Sequence, residues 1–421
     1  MTFDRFTFPN GLRVIGERLD NYRTVAIGLW VGVGSQNEIP GEEGLSHFIE
    51  HMVFKGTAKR TARQIAEEMD AVGGVLNAYT SKEATCFYAK VVDEDLRLAI
   101  DMIADMVTAP SFDAAELKKE KGVVIEEINM SEDTPEDLAS ELLMQAHYGD
   151  QPVSRPILGP AEQIRAYRSE DLRRYWAHAY KPQCSVLAIV GHYDWEQVLD
   201  MVQTYLADWS PEGLEERTCV TRPAKPRVLT KEKDIEQMHI SLGYPGLCLG
   251  HDRNYELSVF NIAFGSSSSS RLFQKIREEH GLAYNVYCMP TAYLDTGLLT
   301  IYAATNPESA DAVIDMILEE ARRIVETGLS REEFAMARKQ LEAGYIMGQE
   351  SSTGRLQALG RRLLVKNTTQ TEEEALETIR NIDFDGTNAL LRDILTAPYS
   401  ASLVGKGVDR IRIAREARGT A

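Results

Sequence analysis

The chain has 421 residues, 43% of them hydrophobic and 26% charged, which suits a soluble globular protein with room for two or three domains. Its 64 acidic residues outnumber its 46 basic ones, giving a net charge of −18, and nucleic acid is disfavoured as a partner because phosphate contacts need clustered Lys and Arg. No apolar run approaches a membrane span, and the five cysteines, Cys86, Cys184, Cys219, Cys248 and Cys288, are scattered without C-x-x-C spacing, an argument against disulfides and for a reducing compartment.

In chain order, Phe6 to Ile15 reads as a hairpin turning at Asn10-Gly11. The chain enters this strand almost at once, with neither a signal-peptide core nor an Arg/Ser-rich presequence, so a cytoplasmic location is expected. Next, Leu45, Phe48, Ile49 and Met52 recur at i, i+3, i+4 and i+7, the spacing of an amphipathic helix that Lys55 and Gly56 end. His47, Glu50 and His51 lie away from that apolar stripe, where core histidines would not. Two histidines four apart stack on one helix face and can share a metal ion, with Glu50 on the same face. H-x-x-E-H is the reversed form of H-E-x-x-H and the inverzincin signature. Hydrolysis needs what it supplies: neutral nitrogen ligands and a carboxylate that takes a proton from water.

Gly73-Gly74 opens a strand running to Thr80; unaided, its glycines read as a bulge. Cys86 to Val92 is strand-like, and 113–130 reads as a second helix. Glu120 and Glu127, seven apart, share one face with Leu117, Val124 and Ile128, while Glu126 points to solvent. Two carboxylates on an apolar face are costly to bury unless a cation or hydrogen-bond donor meets them. The alternative is a solvated charged helix, since Lys118, Lys119 and Lys121 surround Glu120. Taken with the first helix, Glu127 is the expected third ligand of Zn²⁺ and Glu120 the carboxylate that orients a histidine. One coordination position then stays open.

Trp209 to Pro226 reads as an interdomain connection, with 213–226 the linker between a metal-binding domain, 1–212, and a second domain, 227–421. An internal repeat supports the division. Ile100 to Ile103 recurs as Ile314 to Ile317, and Ser185 to Gly191 is echoed by Ser400 to Gly405. The second half also repeats a strand, Leu298 to Ala304, and a charged helix, 330–348. The offset carries His47 to Asn261, His51 to near Gly265, and Glu127 to Leu341–Gly344, so the second half lacks metal ligands. The expected fold class is α+β: two homologous domains, each a mainly antiparallel sheet with helices packed on one face.

The runs G-L-S-H-F-I-E-H-M-V-F-K-G-T at 44–57 and E-K-G-V-V-I-E-E-I at 120–128 resemble the pitrilysin/insulinase-type metallopeptidases, which include mitochondrial processing peptidase and its smaller bacterial relatives. The 76 residues from His51 to Glu127 fit that family's spacing, and the resemblance spans both halves. It implies that Gly74, Asn77 and Ala78 belong to an edge strand to which a peptide adds as another strand, Asn77 touching the backbone beside the scissile bond. It also implies roles for Arg277 and Tyr284, seven apart within the matching run Ser270 to Tyr284: Tyr284 donating to the forming oxyanion and Arg277 holding the substrate carbonyl. Gly265 to Ser270 is either a substrate-contacting loop or a helix N-cap preceded by slack chain.

Larger relatives build a clamshell from four such domains. This two-domain chain is therefore expected to form a homodimer in which Arg277 and Tyr284 of one subunit complete the zinc site of the other. The expected activity is zinc-dependent endopeptidase cleavage of peptides or unfolded, presequence-like segments. The acidity of the chain reads either as solubility or as an interior favouring basic peptides. The alternative is a non-catalytic or assisting subunit of a heteromeric processing-peptidase-like complex, although such subunits have usually lost ligand residues and this chain keeps His47, His51 and Glu127 together with Glu50.

Overall fold

The computed structural model describes residues 3–215 and 220–419; positions 216–219 of the expected linker, Cys219 among them, lie outside the described residues. The chain divides into two compact units, and neither is one continuous stretch. The first takes its residues from Met1–Asn129, Pro156–Cys219 and Met347–Glu372, the second from Met130–Arg155, Val220–Ile346 and Glu373–Ala421. A boundary at the linker therefore accounts for only part of the division, because a segment of each half is built into the other unit.

The first unit holds β1 (Phe3–Thr7), β2 (Arg13–Arg18), β3 (Thr24–Val31), β4 (Val75–Thr80), β5 (Thr85–Val92) and β6 (Ser185–Gly191), in the sheet order β1-β2-β6-β3-β5-β4. Neighbours are antiparallel except β2 and β6. Alternation along β3 sends Val25, Ile27, Leu29 and Val31 to one face and Ala26 and Trp30 to the other, all buried. The first face is covered by α1 (Leu45–Val53), α2 (Ala62–Ala71), α3 (Leu96–Thr108) and α4 (Ala114–Asp133). The opposite face is covered by the helix Ser352–Lys366, through Leu356, Leu359 and Leu363 against Ile15, Trp30, Cys86 and Val186. Gly360 lets that helix come close, since a Cβ there would sit 2.3 Å from the Trp30 ring. Arg355 fastens it, with its guanidinium 2.5 Å from Glu17 Oε1 and 3.1 Å from Glu372 Oε2.

The second unit holds β7 (Val228–Glu232), β8 (Met238–Pro245), β9 (Ala283–Ala292), β10 (Gly297–Thr305) and β11 (Ser400–Gly405), ordered β7-β11-β8-β10-β9. Here β7 and β11 are the parallel pair. Strand for strand, this is the order β2-β6-β3-β5-β4 of the first sheet, so the sequence repeat is a repeat of topology. Helices Asn254–Asn261, Ala310–Thr327 and Phe384–Thr396 bury one face with Met238, Ile240 and Leu242. The other face receives α5 (Pro135–Tyr148), whose carbonyls at Ala139 and Ala146 accept from the Ser402 and Ser400 hydroxyls at 2.6 and 3.2 Å. The α+β class and the mainly antiparallel sheets are as expected. The main helical layer lies on one face, and one exchanged helix is added on the other. Among the described residues the cysteines are free.

Candidate metal centre

The site begins with how α1 starts. Gly44, at its N-cap, adopts φ +86°, and a Cβ there would meet the Leu158 carbonyl oxygen at 2.5 Å; only glycine is accommodated. The buried Glu38 carboxylate accepts the otherwise unpaired Gly44 and Ser46 amide N–H groups, each at 2.8 Å. Ser46 Oγ lies 2.8 Å from Tyr175 OH. The helix that follows buries Leu45, Phe48, Ile49 and Met52, which leaves His47 and His51 facing α4 and Glu50 facing Thr80 of β4.

From α4, Glu127 reaches toward both imidazoles. Its Oε2 is 3.3 Å from His51 Nε2 and 3.7 Å from His47 Nε2, and the two rings lie 4.6 Å apart. One donor atom from each of the three residues falls within 4.8 Å of the others. Burial, and then neighbouring His51, push His47 down to about 3, so near neutral pH it is a neutral imidazole and its approach to Glu127 is no ion pair. Two imidazole nitrogens and a carboxylate oxygen make a donor set that suits zinc, and in this arrangement they could hold it.

The flanking groups differ between the two histidines. His51 Nδ1 donates to Glu120 Oε1 at 2.9 Å, and Lys55 Nζ is 2.9 Å from Glu120 Oε2. Glu120 is 5% exposed, so the expectation of a solvated charged helix fails at this position. His47 Nδ1 is buried without a hydrogen-bond partner. Glu50 Oε2 accepts the Thr80 hydroxyl at 2.5 Å. Burial pushes the Glu50 carboxyl above its ordinary range, against the pull of Thr80 and His51 and with a further push from Glu127.

Strand β4 pairs with β5 on one side, and among the described residues no strand takes its other edge. Thr80 points to Glu50, so alternation places Leu76 and Ala78 on that same face; both pack against the core that includes α1. Asn77 lies on the opposite face, exposed, its Oδ1 accepting the Ala78 N–H at 2.8 Å. Gly74 precedes the strand, where a Cβ would meet Met69 Sδ at 2.3 Å.

Within the second unit, Arg277 and Tyr284 do come together. The guanidinium stacks over the Tyr284 ring at 4.4 Å and donates to the Tyr284 carbonyl at 3.1 Å. Tyr284 is the second residue of β9 and is 77% exposed. The serine tract before them is not slack chain. Ile262–Ser266 forms a wide helical turn, and Ser270 is fully buried.

Sequence reading missed Lys55 and Thr80 as neighbours of the site, and Glu38 as the group that starts its helix. Lys55 carried a signal, four positions past His51. Thr80 needed the strand register, and Glu38 acts on backbone amides that leave no mark in side-chain patterning.

The insulinase (peptidase family M16) model matches residues 13–161, and the model of the peptidase M16 inactive domain matches 167–341. The uncharacterized zinc protease YmxG of Bacillus subtilis is 38% identical over 95% of this chain and 97% of its own length. An uncharacterized zinc protease of Streptomyces coelicolor is 35% identical, covering 97% of this chain and 91% of its own. The crystal structure of a protease from Helicobacter pylori shares the fold at a TM-score of 0.90 and 20% identity, over 96% of this chain and 99% of that one. A peptidase M16 inactive domain structure from Pseudomonas fluorescens does so at 0.90 and 19%, over 97% and 98%. Among the described residues no helix is long and apolar enough to cross a membrane. With matched segments covering most of its length and relatives more than 30% identical end to end, the chain belongs to the insulinase family of peptidases, family M16.

Proposed function

We propose that this protein is a zinc-dependent endopeptidase, with His47, His51 and Glu127 holding Zn²⁺ and Glu50 acting as the proton-transferring base. The observation that carries this reading is the convergence of three donor atoms from two helices, beside the half-buried Glu50 carboxylate, which lies outside that donor set. A zinc ion held there would supply Lewis acidity, polarising a carbonyl and acidifying water. Glu50 takes a proton from the attacking water and passes it to the departing amine, so the carbonyl carbon gains hydroxyl and the nitrogen gains hydrogen. Thr80 holds Glu50 in place through the bond at Oε2. The free edge of β4 gives an extended peptide main-chain partners beside Glu50, with Gly74 and Ala78 along that edge. Asn77, whose side chain ties up the Ala78 amide, would release that amide as the peptide docks. In this reading two copies of the chain pair, so that Arg277 of the partner subunit serves the substrate carbonyl and Tyr284 of the partner subunit the oxyanion, and basic peptides suit a chain of net charge −18.

Two variants test it. Glu50→Gln should keep stoichiometric zinc while peptide cleavage falls about 10²- to 10⁴-fold, the usual worth of a general base. His47→Ala should lose both, and chelator should silence the wild type. Full cleavage by the Glu50→Gln protein would remove Glu50 from the role.

A further inference from the structure

Lys55 has no place in the chemistry just described, yet its ammonium is one of the two polar neighbours of the buried Glu120 carboxylate among the described residues. The two oxygens of Glu120 are divided: Oε1 takes His51 Nδ1–H, and Oε2 takes Lys55 Nζ, both at 2.9 Å. With that proton on Nδ1, the lone pair of His51 is left on Nε2, the atom that faces Glu127. His47 has no such support, its Nδ1 being unpartnered. Orientation of the imidazole pair therefore rests on the His51 arm. A carboxylate only 5% exposed is costly to bury, and a cation on one oxygen offsets that cost while leaving the other oxygen aimed at the imidazole.

The loop that carries Lys55 does not need this ion pair to keep its shape. Thr57 Oγ1 donates to Asp105 Oδ2 at 2.6 Å, the Arg60 guanidinium meets Glu68, Asp101 and Asp105 at 2.8, 2.6 and 3.0 Å, and the Ser111 amide donates to the Gly56 carbonyl at 3.0 Å. The Lys55 ammonium is thus free of a fastening duty.

We propose that Lys55 is a positioning residue for the metal centre: it pins Glu120 so that the carboxylate locks the ring orientation and tautomer of His51. The inference rests on the zinc site proposed above and is tested without activity. Full-length apo protein is titrated with Zn²⁺ against a chromophoric chelator. Lys55→Met should weaken zinc binding about tenfold, the lower end of what loss of such outer support costs, in an apo protein that melts lower than the wild type but still in one cooperative transition above the titration temperature. Lys55→Arg keeps the cation and should recover most of the affinity. Lys55→Met combined with Glu120→Gln should bind no more weakly than Glu120→Gln alone, because the two act in series. Wild-type affinity in Lys55→Met, or a fully additive double variant, overturns the proposal, provided His47→Ala fails to bind. If His47→Ala binds zinc like the wild type, the metal site itself is wrong and Lys55 falls with it.

Discussion

Glu38 shows what one buried side chain does to a helix end. It has to remain close to the Gly44 and Ser46 amides for α1 to start where it does. Burial pushes its carboxyl up to about 8, opposed by those two amides. The folded chain thus keeps a proton that the unfolded chain, with a value near 4.5, has released. Folding takes up a proton between those limits, so stability falls as pH rises from about 4.5 to about 8. Glu38→Gln should abolish that component: between about pH 5.5 and about pH 8, the urea midpoint of the wild type should drop more than that of the variant. Equal drops would place the titration elsewhere. The pair His47 and His51 was legible in sequence because a period of four residues writes helix neighbours directly into the chain. Glu38 was not, since its partners are main-chain groups.

At the scale of elements, the amphipathic helices and alternating strands were legible from their periods, and α1, α4, β5 and β10 fall where the pattern put them. The helix Ser352–Lys366 shows what was not. Its apolar residues announce a buried face, but the surface they bury belongs to strands more than 150 residues away in sequence, and periodicity carries no address. Its hold on the sheet depends on Arg355, half of a nearly dry pair with Glu17. Arg355→Ala should destabilise the protein by about 3–5 kcal/mol, because Glu17 is left as a buried charge without a partner. Chemical denaturation measures this, and a loss below about 1 kcal/mol would mean that the pair behaves as a surface ion pair.

For the molecule as a whole, the duplicated plan was readable from the recurrence of Ile100–Ile103 at Ile314–Ile317, and among the described residues the one His/Glu cluster that could hold a metal ion lies in the first half. The proposed homodimer belongs to this scale, and it makes a sharp demand. Chains carrying Glu50→Gln and chains carrying Tyr284→Phe, each inactive alone, should regain cleavage when mixed and reassembled, with one working site per mixed pair. A mixture as dead as either parent rules out shared sites.

The exchange of Ser352–Lys366 for α5 bears on how such a protein could arise. A half-length forerunner folded on this plan would have had one bare sheet face and one helix with nowhere of its own to lie. Two identical forerunners could satisfy each other by trading those helices. Joining their genes end to end would then preserve the trade within one polypeptide and free the second copy to lose its histidines.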